Sequence, residues 1–240
     1  MKEHKNQTFK DRRLSPATDV RDRRFVKCDF QACRLSVPYT AVPEERTRII
    51  NCSFESCTFS GSTFQSKGLL QQVLLHNIAH VDYMAIGGVI FDRVIFKGRF
   101  DRWILDSDHR GMVVDFRAVT DEECAALDGH AQAAYRTIEW ALDISDAEFK
   151  ECELRPSVPA HLVKRNPETQ MLMRHDKVVN SRWQENPALK GNRAEVFCRW
   201  VARTYQRDTI IVAPVRNKKL CAEYLEGMKI LRAEGIGEVG

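Results

Sequence analysis

The stretch NCSFESCTFSGSTFQSKGL, residues 51–69, carries a large apolar residue at every fifth position. The members of this run are Phe54, Phe59, Phe64 and Leu69; an earlier run comprises Val20, Phe25, Phe30 and Leu35, and a later one Ile144, Phe149 and Leu154. An α-helix repeats about every 3.6 residues and a simple strand alternates from one residue to the next, so neither produces this period. The spacing indicates a repeating architecture, and no complete catalytic signature accompanies it.

A cysteine or another small residue lies two positions before most of these large residues. In an extended chain, residues two apart point to the same side, while the remaining three of each five are polar or tolerant of turns and suit a corner in water. A chain that makes this step four times returns near its start, and stacked coils bury one continuous apolar column. The spacing predicts a β-helix with these inward residues: Phe25, Cys28, Phe30, Cys33, Leu35, Cys52, Phe54, Cys57, Phe59, Phe64, Leu69, Phe149, Cys152 and Leu154.

The segments FVKCDFQACRL (25–35), NCSFESCTFSGSTFQSKGL (51–69) and DISDAEFKECEL (143–154) resemble degenerate copies of the pentapeptide-repeat motif. The resemblance covers 20–36, 49–75 and 144–155. It implies a mainly β fold with α elements, in which a right-handed quadrilateral β-helix holds both the large residue and the small residue inside.

The coil register follows from aligning the two best runs with one offset. Phe25 then pairs with Ile49, and Phe30 pairs with Phe54 by the same offset. A four-sided coil of five-residue steps leaves four residues for a bulge, and the proline-containing stretch at 36–47 offers a place for it. This register would stack Cys28 on Cys52. Residues 76–118 fit the motif poorly and are expected to form irregular coils.

The chain has eight cysteines, of which five occupy the small inward position. A free cysteine behaves as a small buried hydrophobe, which accounts for the spacing. The alternative is that two Cys-x4-Cys pairs hold zinc or an iron–sulfur cluster. Because consecutive inward positions lie on different sides of a coil, we expect neither a metal nor a cofactor.

Charge is distributed unevenly along the 240 residues. The chain has a net charge of +4, but residues 155–240 contain 16 basic and nine acidic residues, whereas 104–154 contain 13 acidic and four basic residues. The N-terminal sequence MKEHKNQTFKDRR is charged with no apolar stretch behind it, and no segment has the length of a membrane span. We therefore expect a cytoplasmic protein that does not engage a membrane.

Three regions are predicted. Residues 1–19 would be an N-terminal extension or cap. Residues 20–155 would be the β-helix, interrupted by a helix over 121–142 that Thr120 and Glu123 cap. Residues 156–240 would be a basic, mainly α-helical domain that could cap the stack or dimerise. Within it the pattern predicts helices over 166–183 and 192–206, a strand over 209–215, and a last helix from Leu220 that Gly235 ends.

The helix predicted over 192–206 carries a basic stripe. Arg199, Arg203 and Arg207 are four residues apart, and Lys190 and Arg193 precede them. Such a stripe is typical of contacts to phosphates or to an acidic partner, and a solvated helix face explains it equally. The aromatic residues of this region are expected in its core or at a subunit interface: Trp183, Trp200, Tyr205 and Tyr224.

Other polar groups give weaker signals. His76 and His80 have the spacing of a zinc helix but lack the glutamate that activates water, so packing or surface roles are favoured. The sequence DSDH at 106–109 could bind a metal or move a proton, as could any polar loop. Arg136 and Glu139 are expected to form surface contacts. An enzyme site would need residues such as Asp106, His109, His161 and His175 to meet in one cleft.

These observations favour a non-enzymatic interaction or scaffold protein. The first alternative comes from the resemblance, because some pentapeptide-repeat proteins imitate duplex DNA and bind DNA gyrase or topoisomerase IV, which protects against quinolones or toxins. The acidic stretch 104–154 is compatible with mimicry, whereas the net positive charge opposes it. The second alternative is nucleic-acid binding through residues 155–240. A protein partner, or a second copy bound through the C-terminal helices, is expected.

Overall fold

The computed structural model describes residues 1–10, 19–31, 47–60, 64–65, 68–80, 84–106, 113–114, 117–118, 120–155 and 158–238. The strands are β1 Lys2–Lys5, β2 Thr8–Lys10, β3 Asp19–Arg21, β4 Arg23–Val26, β5 Asp29–Gln31, β6 Thr47–Glu55, β7 Thr58–Ser60, β8 Phe64–Gln65, β9 Gly68–His80, β10 Met84–Gly87, β11 Ile90–Asp92, β12 Val94–Asp106, β13 Val113–Val114, β14 Arg117–Ala118, β15 Leu142–Asp143, β16 Ala147–Leu154, β17 Val163–Lys164, β18 Gln170–Met173, β19 Thr209–Val212 and β20 Gly237–Glu238. The helices are α1 Asp121–Tyr135, α2 His175–Asn180, α3 Arg193–Arg199 and α4 Lys218–Ala233, with 3-10 turns at Ala160–Leu162 and Pro187–Leu189 and a π-helical turn at Trp200–Tyr205.

The fold is mainly β with helices, which confirms that part of the prediction. Within the described ranges, eighteen strands join in one sheet whose pairings are mostly parallel, and β13 and β14 form a separate antiparallel pair. The longest pairings run from β6 through β9 and β12 to β16. Parallel neighbours of this kind require the chain to travel away and return between strands.

The register of these strands aligns the large apolar residues in four columns. The first contains Val20, Ile49, Leu70 and Phe91; the second His4, Phe25, Phe54, Leu75 and Phe96; the third Phe9, Phe30 and Phe59; and the fourth Phe64, Ile86, Leu105 and Leu154. In the first column Ile49, Leu70 and Phe91 follow one another at equal intervals along the chain. The five-residue period of the sequence therefore becomes a set of stacked positions.

The predicted coil register is wrong. Phe25 pairs with Phe54 rather than Ile49, and Phe30 pairs with Phe59, so the true offset is one five-residue step longer than the predicted one. Cys28 consequently lies level with Cys57 and not with Cys52. Every five-residue step carries the same apolar content, so shifting the alignment by one step preserves the hydrophobic match. Sequence pattern alone could not choose between the two registers.

Residues in the left-handed backbone region form two sets. One set contains Asp22, Asn51, Gln72 and Arg93, with φ between 51° and 55°, and the other contains Asn6, Lys27, Ser56, Asn77 and Gly98. Each residue of the first set is followed five positions later by a residue of the second set, which is the period of the apolar residues. A left-handed residue costs about 1–2 kcal/mol unless it is glycine. Backbone hydrogen bonds offset this cost, because corner amides donate to the neighbouring strand's end, as from Lys27 N to Glu55 O at 2.8 Å. These residues turn the chain between successive strands.

The inward residues pack as ladders of rings and thiols. Phe25 stacks on Phe54 with ring centroids 4.9 Å apart, and Phe30 stacks on Phe59 at 4.8 Å. Of the side chains predicted to point inward, those buried in the apolar cluster of the parallel strands are Phe25, Cys28, Phe30, Cys52, Phe54, Cys57, Phe59, Phe149, Cys152 and Leu154. Leu70 rather than Leu69 occupies the column of Ile49, because one extra residue precedes this strand; Leu69 is only partly buried. Cys33 and Leu35 lie outside the described residues, and for Phe64 only the backbone pairing is described.

Parallel pairing extends beyond both predicted ends of the repeat region. β1 pairs with β4 and β2 with β5, so the ladder begins at Lys2 and not at residue 20. Phe9 stacks on Phe30 with centroids 5.0 Å apart, although its neighbours in sequence are charged or polar. At the other end β17 pairs with β15, which places the last parallel strand after residue 155. The regions predicted as 1–19 and 156–240 therefore each contribute strands to the ladder.

An antiparallel pair, β18 and β19, lies between two apolar clusters. Leu172, Ile210 and Val212 belong to the cluster of the parallel strands. Met171 and Ile211, which alternate with them, belong to a second cluster built mainly from residues 171–236. β19 also pairs with the end of β16 through Leu154 and Ile210. One face of this pair therefore closes the end of the parallel stack while the other supports the C-terminal helices.

The C-terminal region is helical only in part. The prediction of a helix over 166–183 is wrong, because Gln170–Met173 is a strand buried on both faces and only His175–Asn180 is helical. Tertiary burial overrides the helical pattern here. The last helix is confirmed: the Asn217 side chain accepts from Leu220 N at its start, and Gly235 follows its end at φ +68°.

The helix predicted over 121–142 ends at Tyr135. Its apolar spacing continues to Leu142, but Ala141 N donates to Leu162 O and Leu142 pairs with Val94 in the parallel ladder. The last apolar residues of the helical pattern therefore pair with strands and do not belong to the helix.

Candidate functional site

A basic cleft lies beside α3 and the π-helical turn that continues it. Its volume is about 540 Å³, and its walls are Trp183, Gln184, Lys190, Glu195, Arg199 and Arg203. Three of the five basic residues singled out in the sequence thus meet in one place. We refer to this feature, defined by those six residues, as the basic cleft.

Local sequence fixes the helix that carries the cleft. The Asn192 side chain accepts a hydrogen bond from Ala194 N at 2.8 Å and caps α3. After Arg199 the chain adopts a π-helical turn, which ends where Gln206 enters the left-handed region at φ 53°. Arg199 and Arg203 are four residues apart across this junction and therefore lie on one side of the helix. π-helical turns occur frequently at functional sites.

Glu195 holds one wall of the cleft in place. Its Oε2 accepts from Gly191 N at 2.9 Å and its Oε1 accepts from Arg199 at 2.7 Å. The Gly191 amide, followed by the Arg199 guanidinium, lowers the pKa of this carboxyl, so it stays ionised below the usual range for glutamate. One negative charge therefore faces three positive charges, which leaves the basic cleft with an excess of two positive charges.

Trp183 forms the floor of the cleft. Its side chain is only 3% exposed, and its indole Nε1 has no hydrogen-bond partner among the described residues. The Arg203 guanidinium lies over its ring with the central carbon 5.8 Å from the ring centroid. A cation in this position is attracted to the face of the indole, so the ring helps to orient Arg203.

Two residues of the predicted stripe lie elsewhere. Arg193 binds Glu223 at 3.3 Å and lies over the ring of Tyr224, so α4 neutralises it. Arg207 follows the left-handed Gln206, where the helix has ended, and lines a separate cleft. The helical spacing that aligned Arg207 with Arg199 therefore does not continue past residue 205.

The second cleft tests the idea of an enzyme site assembled from histidine and carboxylate. It has a volume of about 390 Å³ and contains His161, Arg207, Asp208 and part of α1, but His175 does not line it. His175 instead starts α2, and its backbone N donates to Asp208 at 2.9 Å. The side chain of Asp106 and all of residues 107–109 lie outside what the structure describes, so the DSDH motif remains a prediction.

The possible metal ligands occupy structural positions. His76 and His80 lie on strand β9, which removes the helix that a zinc motif with this spacing requires. The thiols of Cys28 and Cys57 approach backbone carbonyl oxygens of their own ladder, those of His4 and Phe25. Within the described ranges no three histidine, cysteine or acidic residues lie close enough together to hold a metal ion.

The C-terminal aromatic residues belong to the second apolar cluster. Trp183 and Tyr224 are buried there, and Trp200 is partly buried against them; the side chain of Tyr205 is not described. On the described surface, Val179 is 48% exposed and Leu225 36% exposed. Dimerisation through the C-terminal helices stays a prediction.

The faces of the parallel strands carry paired charges. Arg24 binds both Glu3 and Glu55, at 2.7 and 2.9 Å, and Arg102 binds Glu151 at 3.3 Å. A surface that imitates the phosphates of DNA needs carboxylates free of such partners. These ion pairs therefore lend the DNA-mimic hypothesis no support on the described strands.

Sequence reasoning missed the other half of the basic cleft. Glu195 could have been recognised from its position four residues before Arg199 on the same helix. Trp183 and Gln184 could not, because the helix predicted over 166–183 forms only at His175–Asn180, and Gln184 lies just beyond the predicted range. Only the tertiary packing of residues 181–190 against α3 brings them beside the arginines.

Comparison with known proteins gives the chain no relative: no protein-family model matches it, and no curated protein matches it significantly. Among the described helices, none combines the length and apolar character needed to cross a lipid bilayer.

Proposed function

We propose that this chain is a non-enzymatic binding protein built on a right-handed, four-sided β-helix of the pentapeptide-repeat type. The four columns of apolar residues and the left-handed corners at five-residue intervals support this architecture. Crossovers between parallel strands of one sheet are almost always right-handed, which favours that hand. In this proposal the β18–β19 pair closes one end of the stack and supports the C-terminal helices, which carry the basic cleft.

The basic cleft binds an acidic segment of a partner protein. The observation that carries this proposal is its charge excess: Lys190, Arg199 and Arg203 converge around a single carboxylate, whereas Arg24 and Arg102 on the strand faces are paired. Glu195 and Trp183 fix the orientations of the two cleft arginines before any partner arrives. Such preorganisation reduces the entropy lost on binding.

Comparative affinity capture from the protein's own cells tests this function. The bait would be the full chain, beside a variant that combines Arg199→Ala with Arg203→Ala. We expect a protein with an acidic segment to be retained by the unaltered chain, lost from the variant, and released as salt is raised.

A matched control separates the effect of the cleft on binding from the effect of total charge. Lys218→Ala with Lys219→Ala removes the same two charges from the exposed first turn of α4. This control should retain the partner. If both double variants retained every captured protein equally, the basic cleft would have no role in binding.

Nucleic-acid binding is a second candidate, favoured by the same three cations and by the net positive charge of residues 155–240. Three phosphate contacts to a single strand predict a slope of about −2 for the logarithm of affinity against the logarithm of salt concentration. Fluorescence anisotropy of a labelled single-stranded oligonucleotide would measure it. Affinity that did not respond to salt, or that survived the Arg199→Ala and Arg203→Ala changes, would remove this candidate.

A further inference from the structure

The chemistry of the basic cleft distinguishes a phosphate group from a carboxylate. After Glu195 is counted against the three cations, two positive charges remain, which matches a phosphate monoester dianion and exceeds a single carboxylate. The guanidinium fork of arginine also fits phosphate oxygens with two parallel hydrogen bonds. Arg203 supplies one such fork, and Arg199, whose Nη2 already donates to Glu195, adds its other donors on the same wall.

We infer that the basic cleft recognises a phosphorylated side chain on a partner protein, a phosphoserine or phosphothreonine, through Lys190, Arg199 and Arg203. This inference rests on the proposed function and narrows the acidic segment to one that carries a phosphate. The cleft volume of about 540 Å³ accommodates the phosphorylated residue with part of its neighbours. Binding would then depend on modification of the partner.

The test uses the full chain and three immobilised peptide libraries with degenerate flanking positions. The central residue is phosphoserine in one library, glutamate in the second and serine in the third. We expect the phosphoserine library to retain the protein at least about tenfold more strongly than the glutamate library. Arg199→Ala with Arg203→Ala should abolish the difference, whereas Lys218→Ala with Lys219→Ala should preserve it.

The remaining outcomes separate the inference from the function on which it rests. Equal retention by the phosphoserine and glutamate libraries would overturn phosphate recognition and leave an acidic-segment binder. No retention by either library would overturn both. Tight binding of an oligonucleotide that lacks terminal phosphates, with no retention on the peptides, would replace both with a nucleic-acid function.

Discussion

Gly98 occupies a corner that only glycine fits. Its φ is +75°, and a Cβ at this position would overlap the Oδ1 atom of Asn77. That oxygen accepts a hydrogen bond from Arg99 N at 2.9 Å, so it cannot retreat freely. Backbone strain and side-chain overlap therefore act together at this residue.

We predict that Gly98→Ala lowers the free energy of unfolding by about 2 kcal/mol or more. Urea denaturation followed by circular dichroism would measure it. Gly129→Ala is the matched control, because it lies in α1 with no atom near the added methyl group. That change should stabilise the protein by about 0.5–1 kcal/mol. A neutral Gly98→Ala variant would contradict the described corner.

The buried thiols make stability depend on pH in the alkaline range. Burial raises the pKa of Cys57 to about 11 from an ordinary value of 9.0, and burial also raises the pKa of Cys198 to about 12. Well below pH 9 the thiol is neutral in both the folded and unfolded chains. Above it the unfolded chain loses the proton first, so the free energy of unfolding decreases between pH 9 and about 11.

Cys57→Ala should reduce this pH dependence even though it lowers stability at pH 7. Urea midpoints collected from pH 7 to 11 would provide the comparison. Cys221→Ala should change the dependence less, because that thiol is only partly buried. If Cys57→Ala left the alkaline decrease unchanged, other groups would account for it.

At the level of elements, polar side chains of the β18–β19 pair donate hydrogen bonds to backbone carbonyl oxygens near the last strands of the stack. Thr209 Oγ1 donates to Leu154 O at 2.6 Å, and Gln170 Nε2 donates to Ile144 O at 2.8 Å. Both side chains are at most 2% exposed. Because these two carbonyl oxygens accept from side-chain donors, the sheet edge is not open to another chain at Leu154 and Ile144.

Thr209→Val should destabilise the protein by about 1–3 kcal/mol, because it keeps the shape but leaves Leu154 O buried without this donor. Thr209→Ser keeps the hydroxyl, so we expect it to cost less than Thr209→Val. Thermal denaturation of the two variants gives the order directly. The reverse order would mean that packing of the methyl group matters more than the hydrogen bond.

The sequence pattern predicted the repeat but not its register or its end. The five-residue spacing identifies Phe30 and Phe59 as inward, because this spacing has no other common cause. The spacing does not determine that these two residues pair, because every five-residue step carries the same apolar content. Phe9 was not identified among its charged neighbours, and Gln170–Met173 follows a helical pattern but is buried on both faces. In the basic cleft the arginines could be found by helical spacing, whereas Trp183 depended on packing between distant segments.

For the molecule as a whole, the two apolar clusters share one antiparallel pair. Met171 and Leu172 are neighbours in β18 but contribute to different clusters. Melting either cluster exposes one face of the same strands. We therefore expect the stack and the C-terminal region to unfold together.

Pulsed alkylation along a urea gradient tests this expectation. Cys57 reports on the first cluster and Cys198 on the second, and both side chains are fully buried. Peptide-level mass spectrometry should give coincident midpoints for the two. Labelling of Cys198 at clearly lower urea than Cys57 would show that the C-terminal region unfolds on its own.

The equal intervals between Ile49, Leu70 and Phe91 also make the stack extensible. A tandem duplication of residues 51–71 would insert one more position into each column of apolar residues and would leave the contacts at both ends unchanged. Each insertion would lengthen the molecule by one strand spacing, about 4.8 Å. The repeat of 21 residues is thus a unit by which the stack can be lengthened. The distance between the basic cleft and the opposite end of the stack could be adjusted in steps of that size.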